Sequence, residues 1–240
     1  MRDEAEATHG DNEEHDAVQC RKLWISGATR GIGAALAGAL SDDYAVTALA
    51  RELGHDLSLE ATARHLLSTS ATPYAWIHTP GAFFEKPLLE TSDVDWVELF
   101  ESNVLSFVRS ARSVLPAMAA NGAGRVLVFG VAGLTTGTAK ARAPVYFAAK
   151  AALLECVRVL ARDFAEVGIC INMISPGAIA HADSHAASQA RVASRIPAGR
   201  LGRPDDFVGL VRFLLSESSA YVTGQDIAVD GGLALANPPL

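Results

Sequence analysis

Tyr146 and Lys150 stand four residues apart. On a helix that spacing puts both side chains on one face, one turn apart. A lysine ammonium beside a phenol stabilises phenolate and draws the tyrosine pKa down from about 10. That moves tyrosine toward the range in which it can trade a proton with an alcohol or a carbonyl. Far upstream, the run Ser26-Gly-Ala-Thr-Arg-Gly-Ile-Gly33 concentrates glycine at 27, 31 and 33. Glycine permits a tight turn, lets backbone approach a pyrophosphate and lets the next helix pack closely on a sheet. The N-terminus of that helix adds free N–H groups and a partial positive charge for the phosphates. Each signal alone is weak, since Tyr-x-x-x-Lys pairs are common on surfaces and glycines are common in turns. In this order they imply a nucleotide cradle followed by a proton donor, the requirements of hydride chemistry on a nicotinamide cofactor.

The same stretch speaks to the choice of cofactor. An NAD site usually ends its second strand with an acid that holds the ribose 2′-hydroxyl. Here that position is Ala50, followed by Arg51, and Arg30 sits within the glycine turn. Two guanidinium groups converging on one place suit a 2′-phosphate, which they bind with paired, charge-assisted bonds. NADP(H) is therefore expected in preference to NAD(H), unless Arg51 is only a solvated loop residue.

The elements that must position these residues alternate. Short apolar runs at 22–26, 45–50, 75–78, 125–129, 169–175 and 226–229 read as strands. Helical patterns fall at 31–40, 93–120 with Pro116 near its end, 144–167 with proline at its start, and 204–215. Strands without a polar face, alternating with helices, mean a parallel sheet covered on both sides. Five positions separate Arg51 from Asp56, too few for a crossover helix. The helix after strand two is therefore expected to be missing, with only a vestigial strand before Asp56.

At 240 residues the chain can bury one large core. No apolar run reaches the roughly 18 residues of a membrane span. Three cysteines, at 20, 156 and 170, show no metal-ligand spacing and read as reduced thiols of a cytoplasmic protein. No metal site is expected. The net charge of −7 is concentrated in residues 1–16, which hold seven acids and one arginine. The remaining body is nearly neutral, which argues against nucleic acid or an anionic membrane as a partner. Residues 1–20 are expected to form a disordered acidic tail, and residues 21–240 one catalytic domain.

The chain resembles the short-chain dehydrogenase/reductase family in its roughly 250-residue form. The resemblance rests on Gly27-x-x-x-Gly31-Ile32-Gly33, Asn103 in Glu-Ser-Asn-Val, Tyr146-x-x-x-Lys150, Asn172-x-x-x-Pro176-Gly177 and Tyr221-Val-Thr-Gly-Gln-Asp-Ile-Ala-Val-Asp-Gly-Gly232. It covers about residues 21–235 and implies a Rossmann-like, doubly wound parallel sheet of seven strands. By position it makes Tyr146 the acid/base, has Lys150 hold the nicotinamide ribose, and has Asn103 anchor a water in a proton relay. The cofactor would be held by Gly27, Thr29, Arg30, Gly31, Ile32, Gly33, Arg51, Asp56, Leu57, Thr79, Pro80 and Gly81, together with Tyr146 and Lys150. Pro176, Gly177 and Ile179 would flank the nicotinamide. A homotetramer or homodimer built on the two long helices is implied as well.

Three departures stand out. The family's Ser-x-x-Gly, whose hydroxyl helps hold the substrate oxygen, is here Gly130-Val-Ala-Gly133. Losing one such donor commonly costs 10²–10³ in rate, and Thr135, Thr136 or Thr138 on the lengthened loop could replace it. The Asn-Asn-Ala-Gly element is His78-Thr-Pro-Gly81, in which proline removes a backbone donor. The lid carries His181 where a threonine is usual. The expected activity is NADP(H)-dependent interconversion of a carbonyl and a secondary alcohol on a small or medium polar substrate. The alternative is a nucleotide-binding relative with little redox activity, regulatory or structural, or a proton-transfer isomerase.

Overall fold

A computed structural model describes residues 21–56, 59–136, 140–180 and 186–235. The expected tail at 1–20 lies outside the described residues. In chain order the elements are β1 (Lys22–Ser26), α1 (Gly31–Ala39), β2 (Ala45–Leu49), α2 (Glu60–Thr69), β3 (Ala75–His78), α3 (Asp93–Phe100), α4 (Ser106–Ala120), β4 (Gly124–Phe129), α5 (Pro144–Phe164), β5 (Ile169–Pro176), α6 (Ala186–Ala193), α7 (Val208–Leu215) and β6 (Asp226–Val229).

The strands form one parallel sheet in the order β2-β1-β3-β4-β5-β6. Side chains alternate across it with period two. Trp24, Trp76, Val126 and Val128 point to one face and pack with Phe107, Val114, Leu153 and Val157 of α4 and α5. Leu23, Ile25, Ile77, Leu127 and Phe129 point to the other and meet Leu36 of α1 and Val211 and Leu214 of α7. Both faces are apolar because both are covered.

Three expectations need correction. Six strands are present among the described residues where the family resemblance implied seven, and His55 and Asp56 are not in a strand. The helix expected to be missing is supplied in another form. A short 3₁₀ turn, Arg51–Leu53, follows β2, and α2 then makes the crossover to β3. The interval to Asp56 was too short for a helix, as read, but the chain beyond it was not. The long helix expected at 93–120 is interrupted by a wider π-turn at Glu101–Leu105, while α4 passes through Pro116 to Ala120.

One ion pair at the amino end of the sheet ties distant segments together. Arg125, the second residue of β4, is 3% exposed. Its Nη2 donates to Glu217 Oε2 at 3.1 Å, and its other donors reach the carbonyls of Ser216 and Gly124. Glu217 also accepts from Arg21 and from the Tyr74 hydroxyl. Removing the acid leaves a buried guanidinium short of charge compensation. Glu217→Ala is expected to lower stability by about 2 kcal/mol, read as a fall of several degrees in Tm by thermal unfolding. An unchanged Tm would show that the backbone carbonyls suffice.

Candidate active site

In a parallel sheet every strand leaves at the same edge, and the chain turns in opposite directions from β1 and β3, which makes a crevice between their exits. The glycine turn sits there. Gly27 has φ +76°, and a Cβ on it would lie 2.4 Å from Thr79 Oγ1. A Cβ on Gly33 would lie 2.3 Å from Gly27 O. The Thr79 hydroxyl donates to Ser26 O at 2.8 Å, binding the exit of β3 to that of β1. Arg30 is the N-cap of α1, and no side chain caps its first turn, so its N–H groups suit phosphate oxygens. The cradle closed to side chains and the uncapped helix end fit a dinucleotide.

Asn103, Lys150 and Gly81 converge beside this cleft. Asn103 lies in the π-turn, the kind of helix irregularity that often marks functional sites. Its Nδ2 donates to Leu99 O and to Ala82 O, both at 3.0 Å. The second bond holds the loop leaving β3. Its Oδ1 is buried without a partner. A Cβ on Gly81 would fall 2.3 Å from Asn103 Oδ1 and 3.2 Å from Lys150 Nζ. Glycine there lets the carboxamide and the ammonium share one space. Lys150 is buried and donates to Phe129 O at 2.7 Å.

The Tyr146 and Lys150 side chains share one face of α5, with Nζ 5.7 Å from the phenol ring centroid. Their electrostatics differ from expectation. Burial pushes Tyr146 up to about 12 and Lys150 down to about 7. The lysine was expected to draw the phenol down, but loss of water around both groups dominates. Phe83 packs edge-on against the Tyr146 ring with centroids 5.0 Å apart, and is itself exposed. It forms an apolar wall beside the phenol.

Gly130 has a structural reason to be glycine. A Cβ there would lie 2.4 Å from Met173 Sδ and 2.6 Å from Ser175 Oγ. A side chain at position 130 would have to displace the Met173 and Ser175 side chains of β5. Thr136 donates to Gly133 O at 3.0 Å, within its own loop. Thr135 is exposed, and Thr138 lies outside the described residues.

The remaining cofactor positions fall at the two ends of the cleft. Thr29, Arg30 and Arg51 are exposed and Asp56 is partly buried; Leu57 lies outside the described residues, as do His181 and its lid neighbours up to 185. Gly177 presses on Asp230, where a Cβ would lie 2.7 Å from Cα, and Ile179 bridges to Gly202. Pro80 packs against Gly27. Asn172 is structural: it joins β5 to the segment before β6 through Val222 O and the Gln225 N–H.

The structure also places a residue whose role the sequence concealed. His78 is buried beneath the cleft, between Trp76 and Phe107. Its Nε2 lies 3.2 Å from Ser106 Oγ. The Ser106 hydroxyl gives its one proton to Ser102 O, so Nε2–H must be the donor to Ser106, and Nδ1 is bare and unpartnered. His78 thus braces the π-turn that carries Asn103. Burial, with the Lys150 charge adding to it, pulls His78 down to about 3.

Comparison with known proteins follows the same lines. Residues 33–234 match a family model described as enoyl-(acyl carrier protein) reductase. The chain is 28% identical to the 3-oxoacyl-[acyl-carrier-protein] reductase FabG of Escherichia coli over 87% of its length and 95% of that protein. A short chain dehydrogenase from Leptospira borgpetersenii, solved with bound NAD+, superposes with a TM-score of 0.84 at 25% identity over 98% of this chain and 99% of that one. A Beutenbergia cavernae structure holding NADP superposes with a TM-score of 0.80 at 28% identity over 90% of this chain and 97% of that one.

Two outcomes are expected from this geometry. Gly130→Ser, which introduces the hydroxyl that spacing alone calls for, is expected to destabilise by about 1–3 kcal/mol through overpacking against Met173. It is expected not to raise turnover. A higher rate with an unchanged Tm would overturn this reading of position 130. The second concerns acid. An unfolded histidine titrates near 6.5 and the buried one near 3, so the unfolded chain binds more protons between those values. Stability is full above pH 6.5 and falls as pH drops through this window. His78→Asn is expected to flatten the acid limb of a Tm-against-pH profile by up to one proton.

Proposed function

Because the chain belongs to the short-chain dehydrogenase/reductase family, we propose that it is an NADP(H)-dependent oxidoreductase that interconverts a carbonyl and a secondary alcohol, with Tyr146 as acid/base. The observation that carries this reading is the convergence of Asn103 Oδ1 and Lys150 Nζ on the space beside Gly81, with Tyr146 one helical turn before Lys150.

Bound, the nicotinamide supplies the hydride donor or acceptor. The protein's residues do the rest. The glycine turn and the start of α1 hold the pyrophosphate. Tyr146 Oη gives its proton to a carbonyl oxygen as that oxygen gains charge, or takes one from an alcohol in reverse. A phenol held high in pKa stays protonated but is a weak acid, so it gives up its proton less readily. Lys150 offsets this when protonated, because its charge favours phenolate. With its own pKa near 7, its protonation is adjustable at neutral pH. Asn103 Oδ1 is a free acceptor that would anchor a water, and that water would pass a proton between solvent and the Lys150 side. Phe83 gives the substrate an apolar wall beside the phenol.

Arg30 and Arg51 support preference for NADP(H), since neither has an ion-pair partner among the described residues and both lie beside the cleft's ribose end. FabG reduces 3-oxoacyl chains on a carrier protein by its name, while the segment 178–198 here is rich in alanine and carries His181, Ser184, His185, Ser188 and Arg191, which suits a smaller and more polar substrate. Assembly through α4 and α5 into a homodimer or homotetramer belongs to the same proposal. One observation favours the second reading, a nucleotide-binding protein with little turnover: a side chain at position 130 would have to displace Met173 and Ser175.

A single pair of measurements separates the two. NADPH titration by nicotinamide fluorescence is expected to show binding by the native chain and by Tyr146→Phe alike. In a carbonyl-substrate screen, Tyr146→Phe is expected to lose at least 10²-fold in kcat. Equal activity of the two proteins would sink the role of Tyr146, and binding without any turnover by the native chain would favour the second reading.

A further inference from the structure

The ribose end of the cleft carries an acid as well as its two arginines. β1 and β2 are paired, and the glycine turn stays against β2 through Gly27 N–H donating to Leu49 O at 2.8 Å. The 3₁₀ turn Arg51–Leu53 therefore emerges directly beside the glycine turn. Across that gap the Thr29 hydroxyl faces the Glu52 carboxylate, Oγ1 to Oε2 at 3.5 Å. Glu52 has no cation partner among the described residues, and neither Arg30 nor Arg51 has an acid. Thr29 thus faces Glu52 on a stretch that also carries Arg30 and Arg51; all four residues are exposed, and none of the three charged ones has an ion-pair partner among the described residues.

We propose that Glu52 is a specificity-determining residue of the cofactor site, holding the ribose 2′-hydroxyl of NAD(H) and opposing the 2′-phosphate of NADP(H). The inference rests on the nucleotide-binding reading above and deepens it. A carboxylate accepts a bond from a 2′-hydroxyl but repels a phosphate brought to the same place. Ala50, at the position from which such an acid usually acts, is buried and has no polar group. Glu52 reaches the glycine turn from two residues further on, and Thr29 marks where its charge arrives. The two arginines tilt the site toward NADP(H), and Glu52 limits that tilt and keeps NAD(H) admissible.

The test is equilibrium titration of the native chain and of Glu52→Gln with NADPH and with NADH, read by nicotinamide fluorescence. Glu52→Gln is expected to tighten NADPH about fivefold, the effect of removing one unit of repulsion at a solvent-exposed site. It is expected to weaken NADH severalfold, so that the ratio of the two Kd values changes by at least tenfold. The change is expected to shrink as salt rises, because exposed charges are screened. A ratio within twofold of native, with both cofactors still bound, overturns the role of Glu52 and leaves nucleotide binding standing. Failure of the native chain to bind either cofactor overturns both. Glu52 is exposed on a short turn, and equal Tm values for the two proteins serve as the control for folding.

Discussion

Everything in the cleft depends on how closely the exit of β3 presses on the turn after β1. A Cβ on Gly27 would lie 2.4 Å from Thr79 Oγ1 and 3.3 Å from Pro80 N, and one on Gly33 would lie 2.8 Å from Thr79 Oγ1. Thr79 closes the gap with a bond to Ser26 O. This approach draws Gly81 inward as well, and Gly81 is what lets Asn103 and Lys150 share one space. A side chain at any of the three glycines would push the two strand exits apart and separate the glycine turn from Asn103 and Lys150. Two well-packed apolar clusters, one on each side of the sheet, hold the strands rigid enough for such a tight fit.

Polar groups are buried at the floor of this cleft at some cost. His78 Nδ1 and Asn103 Oδ1 are both buried without partners, and a buried unsatisfied polar atom typically costs about 1–3 kcal/mol. Lys150 spends one donor on Phe129 O. The fold tolerates them because each is locked from the other side: Asn103 by two carbonyls through Nδ2, His78 by Ser106 and by the rings of Trp76 and Phe107. Groups held rigid and left with unspent bonding capacity are what a reacting site needs. The same groups are a liability for stability.

The strands were legible in the sequence because each is a short apolar run between turn residues, and a parallel sheet needs no alternation to be read. The pairing of Tyr146 with Lys150 was legible because helix periodicity alone sets it. What could not be read depends on contacts between distant segments. α2 has a weak apolar stripe, with only Ala63 and Leu66 buried, and was hidden behind the short interval to Asp56. The π-turn at Glu101–Leu105 has no sequence signature of its own. His78 looked like an altered cofactor contact because its burial is created by Trp76, Phe107 and Ser106 together. Glu52 belongs to no motif, and only the pairing of β1 with β2 brings its turn beside Thr29.

Gly130 shows why spacing and direction must be read separately. Counted along the chain, it occupies the place where the family resemblance leads one to expect a serine. Yet the residue continues the line of β4, with its N–H donating to Ile174 O at 2.8 Å. A strand residue points to one face or the other, and residue 130 points at Met173 and Ser175. The space that a serine side chain would need is taken by the Ser175 hydroxyl, which donates to Asp226. Met173, which contributes most to the obstruction, is itself part of the apolar cluster that packs α4 and α5. Shrinking it to make room would loosen the cluster and α5, the helix that carries Tyr146 and Lys150. A side chain at 130 would therefore disturb the packing that positions Tyr146 and Lys150.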